Sequence, residues 1–167
     1  MPARIRVFID TSALFAGVWS AEGGSRLLLK LAEAGAIEIL ISPQVLTEAE
    51  GALRRKAPDG LGLLALLLHY SQVEIVPSPS HNAVAKAQDL TGHAGDAQVL
   101  AAALEVQTDY FVTLDRQHFL NNVLLTDAVP FPVGTPGDFL SWFRGRVTFR
   151  CLGCCPNPEP EGAYEVI

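Results

Sequence analysis

The chain has 167 residues, 49% of them hydrophobic, which is enough for one domain with a proper core and short for two. A formal net charge of −6, from 18 Asp and Glu against 12 Lys and Arg, argues against a protein that wraps nucleic acid with a broad basic surface, while leaving room for a local basic groove. All three cysteines fall at Cys151, Cys154 and Cys155, so no disulfide framework supports the body of the chain. In chain order, the first element is the apolar run through Val7, Phe8 and Ile9, which reads as a buried strand of a mostly parallel sheet and ends abruptly in Asp10. Asp10 also interrupts the only candidate leader segment, so cytoplasmic residence is the expectation.

A Gly-rich patch at Gly23 and Gly24 leads into a helix over residues 26–34, with Gly35 as its C-terminal cap. Ile37 to Ile41 is a second strand, and Ser42-Pro43 opens a helix to about Lys56 whose apolar positions lie on one arc, bordered by Glu48 on one side and Glu50 on the other. Leu61 to Leu68 is far below the ~20 apolar residues of a membrane span and reads as a buried helix. Val73 to Val76 is a short third strand, and Ser80 caps a helix through about Leu90. The next helix begins at Asp96, one turn below an apolar stripe at Val99, Leu100, Ala103 and Leu104. Tyr110 to Leu114 is a fourth strand and also ends in an acid, Asp115. Pro130 and Pro132 make Val129 to Val133 a weak strand suited to a sheet edge. Thr135-Pro136 starts the last helix, and beyond Arg150 the composition turns to Cys, Pro, Gly and Glu. The alternation of strands and helices predicts an α/β fold with a mainly parallel sheet covered on both faces.

Four acids stand out: Asp10 and Asp115 after strands, Glu48 at the shoulder of a helix stripe, and Asp96 in a first helical turn. Each has an ordinary reading as a turn starter, surface residue or helix cap, and Glu50 is as good a candidate as Glu48 on position alone. Two strand-terminal acids of a parallel sheet share an edge, however, and ligands gather at that edge. At ~5 Å and an effective dielectric of ~20, two carboxylates repel by roughly 3 kcal/mol, so such a cluster needs a compensating cation. Carboxylate oxygens suit hard divalent ions, and the chemistry they point to is metal-assisted attack of water on a phosphodiester. His93 and His118 lie three residues from Asp96 and Asp115, a spacing that could place either near such a metal, but both read better as solvated loop histidines. The basic runs Arg54-Arg55-Lys56 and Arg144, Arg146, Arg150 read as solvated helix ends. The Cys-x-x-Cys spacing lacks a second ligand pair for zinc and reads as part of a free tail.

Val7-Phe8-Ile9-Asp10-Thr11-Ser12, Ser42 through Glu48 with Leu53-Arg54-Arg55, Gly95-Asp96 opening an Ala-rich helix, Tyr110 through Asp115 to Phe119, and Gly134 through Leu140 occur in the order of the blocks of the PIN (PilT N-terminal) domain ribonucleases. The chain resembles that family from about Val7 to Phe143, and in particular its toxin-like, VapC-like members. The resemblance implies a three-layer sandwich around a five-stranded sheet, with a PIN-like nuclease domain over residues 1–147 and a Cys/Pro/Glu-containing tail over 148–167. It selects Glu48 over Glu50 and implies an Mg²⁺ or Mn²⁺ site formed by Asp10, Glu48, Asp96 and Asp115, with Ser12 and Thr113 as secondary groups orienting carboxylates. The implied activity is endonucleolytic cleavage of RNA, with a homodimer and an antitoxin protein as partners. Arg26, Lys30 and Arg116 are candidate phosphate contacts. Two other readings remain open: a non-catalytic RNA- or protein-binding module of the same fold, and a phosphoacceptor domain using Asp10 or Asp115. Ser12 in place of a second acid weakens the last.

Overall fold

A computed structural model describes residues 4–152 of the chain. In order the elements are β1 (Ile5–Ile9), α1 (Thr11–Trp19), α2 (Gly24–Glu33), β2 (Ile37–Ile41), α3 (Pro43–Lys56), α4 (Gly60–Tyr70), β3 (Glu74–Ile75), α5 (His81–Thr91), α6 (Ala94–Glu105), β4 (Tyr110–Val112), a π-helical turn (Arg116–Leu120), α7 (Val123–Ala128), β5 (Val133–Gly134) and α8 (Pro136–Leu152). The five strands form one sheet in the order β3-β2-β1-β4-β5, and every pairing is parallel. The chain therefore walks outward from β1 to β3, returns to the far side of β1, and continues through β4 to β5. Right-handed crossovers then put α1 to α4 on one face and α5 to α7 on the other. The packing agrees: α1 lies against α2, α3 and α4, whereas α5 lies against α6 and α7. This is the expected α/β sandwich, and the two strands flanking the reversal are β1, which Asp10 follows directly, and β4, whose outgoing loop carries Asp115.

The central strands are buried on both faces, with Val7, Phe8, Ile39, Leu40, Ile41, Phe111 and Val112 all at 0% exposure. Phe8 and Phe111 stack in register at 5.7 Å between ring centres, and Phe111 also meets Phe119 at 5.1 Å and Phe131 at 6.1 Å. Tyr110, pointing to the opposite face, meets Phe139 at 5.2 Å and Trp142 at 5.0 Å on α8. Close packing at this joint leaves no room at Gly134. A Cβ there would collide with the Tyr110 hydroxyl and lie 2.9 Å from Asp138 Cβ. Gly134→Ala is therefore expected to lower stability by about 1–3 kcal/mol, read from denaturant unfolding.

Thr135 and Asp138 form a reciprocal cap on α8: Thr135 N and Oγ1 donate to Asp138 Oδ2 at 2.9 and 2.6 Å, and Asp138 N donates to Thr135 Oγ1 at 3.1 Å. Those bonds hold the Asp138 carboxyl below its ordinary 3.8. A depressed folded-state value contributes stability above the ordinary pKa that is lost as pH falls through the lowered one. Asp138→Ala is expected to cost about 1 kcal/mol at pH 7, and the difference from wild type should shrink in acid.

Three elements depart from the sequence-based expectation. Helix α1 directly follows Asp10, although its residues carry apolar side chains all round and no periodic stripe; Gly17 is what permits it to approach α2, where a Cβ would lie 3.1 Å from Leu29. Helix α7 is six residues long and is capped by Asn122, too short for a periodic signal. Helix α4, expected to be buried, buries only Leu64 fully and leaves Leu63, Leu66 and Tyr70 exposed at 38%, 53% and 58%. Its leucines occur on every side of the helix, while only one side meets α1 and α3. The last helix, α8, runs through Leu152. Cys154 and Cys155 lie outside the described residues. No described helix is long and apolar enough to cross a membrane.

Candidate active site

Asp10 performs three tasks at the end of β1. Its amide donates to Val112 O at 2.9 Å, continuing the sheet. Its backbone is extended (φ −75°, ψ 161°), and its Oδ1 accepts the Thr11 amide at 2.6 Å, so it caps α1. Its Oδ2 accepts the hydroxyls of Ser12 and Thr113, both at 2.8 Å. Each of those hydroxyls has a single proton, and the backbone fixes where it goes. Leu114 N donates to Ser12 Oγ at 2.9 Å and Asp115 N to Thr113 Oγ1 at 3.0 Å, so both protons are left to point at Asp10. The loop after β4 is thereby tied to the carboxylate at the end of β1. Asp10 is 6% exposed and Thr113 fully buried. Burial pushes the Asp10 carboxyl up; the three hydrogen bonds oppose this, and neighbouring Asp96 adds to it.

Glu48 reaches the same edge from α3. Thr11 Oγ1 donates to its Oε2 and Gln44 Nε2 to its Oε1, both at 2.7 Å. Glu50, by contrast, pairs with Arg54 at 3.4 Å and lines the groove between α3 and α4. At the start of α6, Gly95 brings the helix against Glu48, such that a Cβ would lie 3.4 Å from Glu48 Oε1. The next residue, Asp96, carries the least satisfied oxygen of the group. Its Oδ2 is shielded from solvent and accepts no hydrogen bond. The Nδ1 atoms of His93 and His118 lie at 3.2 and 3.5 Å from it without the alignment a hydrogen bond needs. Burial raises the Asp96 carboxyl, the two histidines lower it, and Asp115 and Glu48 raise it further.

Asp115 caps the π-helical turn. Its Oδ1 accepts the amides of Gln117 and His118 at 2.9 and 3.0 Å, and its Oδ2 lies 2.8 Å from His118 Nδ1. Burial works against ionisation here, but the His118 amide and imidazole and the Gln117 amide outweigh it and hold Asp115 low. The bond to Asp115 correspondingly raises His118. His93 stacks on His118 with ring centres 5.5 Å apart.

Asp10, Glu48, Asp96 and Asp115 thus converge from four segments on the carboxyl edge of the sheet, next to the β1/β4 reversal. The sequence reading missed Thr11 and Gln44, and the two histidines read there as solvated rather than as neighbours of the acids. Gln44 was findable, since it precedes Glu48 by one helical turn. His93, although 63% exposed, and His118 are neighbours of the acids, because the caps of α6 and of the π-helical turn face each other. Arg26 is held by the last carbonyls of α1, through Nε to Gly17 O at 2.5 Å and Nη2 to Val18 O at 3.1 Å. Lys30 and Arg116 are exposed.

The donor set fits a hard divalent cation. It offers carboxylate oxygens, one of them shielded from solvent without a hydrogen bond, and the ligand atoms of Asp96, Asp115 and His118 lie within 4.8 Å of one another. A family model described as PIN domain matches residues 6–117, more than half of the chain and all four acids. The chain belongs to the PIN domain family. This PIN domain is similar in structure to VapBC2 from Rickettsia felis, solved bound to a DNA fragment from its promoter, with TM-score 0.57 and 15% identity over 78% of this chain and 98% of that one. It is similar too to PAE2754 from Pyrobaculum aerophilum, with TM-score 0.59 and 18% identity over 86% of this chain and 99% of that one. At such identities the likeness is one of fold. A comparison with curated proteins finds no match.

Proposed function

We propose that this PIN domain is a metal-dependent endoribonuclease that hydrolyses RNA phosphodiester bonds, with Mg²⁺ or Mn²⁺ held by Asp10, Glu48, Asp96 and Asp115. The observation that carries this reading is the solvent-shielded Asp96 Oδ2, which accepts no hydrogen bond and stands among three other carboxylates. A buried acceptor without a hydrogen bond is costly, and a cation is the partner that the surrounding carboxylates call for. When bound, a divalent ion supplies polarisation of the phosphodiester and activation of the attacking water. The protein's part is to hold the ligands still: Ser12 and Thr113 aim Asp10, Thr11 and Gln44 aim Glu48, and two amides of the π-helical turn aim Asp115. With Arg26 engaged on α1, the phosphate contacts fall to Lys30 and Arg116.

The fold likeness to VapBC2 and the order of the sequence blocks support a further assignment as the toxin of a toxin/antitoxin pair, acting as a homodimer in the cytoplasm. Both partners would cover apolar surface, and α4 exposes Leu63, Leu66 and Tyr70. The reading is tested by incubating metal-stripped protein with structured and single-stranded RNA, then restoring Mg²⁺ or Mn²⁺. Cleavage that needs the added ion and is absent in the Asp96→Asn variant supports it. RNA binding without turnover at saturating metal would favour the non-catalytic module instead.

A further inference from the structure

His118 lies one residue beyond the stretch that matches the family model, and nothing in the four-acid reading uses it. Its Nδ1 nonetheless reaches both carboxylates of that side of the site, 2.8 Å from Asp115 Oδ2 and 3.5 Å from Asp96 Oδ2. We propose that His118 Nδ1 is a direct ligand of the cation that Asp96 and Asp115 hold, giving this site a mixed nitrogen and oxygen donor set that favours Mn²⁺ over Mg²⁺. The proposal rests on the metal-dependent reading above and names one more of its ligands.

Ligand atoms about 2.1 Å from a common ion stand about 3.0 Å apart when they subtend a right angle and about 3.4 Å apart in a tetrahedron. The two separations, 2.8 and 3.5 Å, lie within about 0.2 Å of those values. The ring is also held in place from three sides. The π-helical turn fixes its backbone, with the His118 amide on Asp115 Oδ1 at 3.0 Å, and Asn122 Nδ2 donates to His118 O at 3.3 Å. His93 stacks on its face at an interplanar angle of 29°. His93 itself is a weaker candidate, being 63% exposed and near only Asp96. An imidazole nitrogen is a softer donor than a carboxylate or water, and along the divalent first-row series it suits transition ions better than Mg²⁺, whose protein ligands are oxygens.

The competing account of the same distances is that His118 is a protonated counter-charge that neutralises Asp96 and Asp115 in place of a metal. The two accounts give opposite results on removing the ring. In the ligand account, His118→Asn weakens Mn²⁺ binding tenfold or more with little effect on Mg²⁺, because the protein loses a nitrogen donor. In the counter-charge account, the same change leaves Mn²⁺ affinity unchanged or raises it, because a competing cation has been removed.

The experiment is electron spin-echo modulation of Mn²⁺ bound to the metal-stripped full chain, together with calorimetric Mn²⁺ and Mg²⁺ titrations. Wild type should show the ¹⁴N modulation of a coordinated imidazole, His118→Asn and His118→Gln should lose it, and His93→Asn should keep it. Circular dichroism checks that each variant is folded, as expected for a side chain that is 34% exposed. Mn²⁺ bound without nitrogen modulation in wild type, or modulation lost in His93→Asn alone, overturns the ligand assignment while leaving the nuclease reading in place. Failure of wild type to bind Mn²⁺ at all overturns both.

Discussion

Asp10→Asn is expected to abolish RNA cleavage, by on the order of 10³-fold or more, while leaving the fold intact. The residue is the hub of the site: Oδ1 caps α1, Oδ2 gathers the two hydroxyls that bind the β4 loop, and the carboxylate is buried beside Asp96. Asparagine keeps the geometry. Its oxygen can still accept the Thr11 amide, and Ser12 and Thr113, whose hydroxyl oxygens are 3.3 Å apart, can re-pair with each other. What is lost is the negative charge. Because that charge is buried among other acids, its removal should also raise the melting temperature of the metal-free protein, by a few degrees, at about 2–4 °C per kcal/mol for a chain of this size. Metal binding should reverse the ranking, stabilising wild type more than the variant. The checks are a gel assay of RNA cleavage and thermal melts with and without Mn²⁺. A variant that melts well below wild type without metal would show that Asp10 is a structural cap before it is anything else.

Phe111→Ala is expected to be the most damaging single change in the core, costing about 3–5 kcal/mol and roughly 10 °C or more in melting temperature. Phe111 is at 0% exposure, and its ring is shared by three others. It stacks on Phe8 in β1, on Phe131 before β5 and against Phe119 in the π-helical turn. One side chain thus ties the central strand, the edge of the sheet and the turn that carries Asp115 and His118. Removing it leaves a cavity between elements that cannot all collapse together. Even where the variant folds, Asp115 should lose its fixed position, so metal affinity should fall along with stability. Urea unfolding and Mn²⁺ titration on the same preparation separate the two effects.

Those two residues also show what the sequence could and could not say. The strand ending in Asp10 and the strand ending in Asp115 were legible because short apolar runs closed by an acid leave few alternatives, and the alternation with helices then set the class of fold. The limits of β2 and α3 follow directly from Gly35, Ser42 and Pro43: Gly35 takes φ +73°, Ser42 accepts Val45 N at 3.2 Å, and Pro43 stands at the first helical position. Helix α1 was not legible, because a segment that packs on several neighbours at once shows no periodic stripe. The burial of α4 was overestimated for the related reason that composition counts leucines without saying which of them a neighbour reaches. Within the site, the choice of Glu48 over Glu50 came from resemblance rather than from position, and the structure places Glu48 with Thr11 and Gln44 while Glu50 faces Arg54. The spacing of three residues from His93 to Asp96 and from Asp115 to His118 does signal the local contacts, at 3.2 and 2.8 Å, whereas the stacking of the two rings and the reach of His118 to Asp96 depend on two capping turns meeting in space, which spacing does not show.

The most direct test of the central claim, that acids from four segments make one metal site, is a calorimetric titration of Mn²⁺ into metal-stripped wild type and into Asp10→Asn, Glu48→Gln, Asp96→Asn and Asp115→Asn. The expected result is a saturable site in wild type that each substitution weakens tenfold or more, since each removes a donor or a charge from the same cluster. Wild-type affinity retained in Asp10→Asn and Glu48→Gln would contradict the claim, confining any bound ion to the Asp96 and Asp115 side and leaving β1 without a part in holding it.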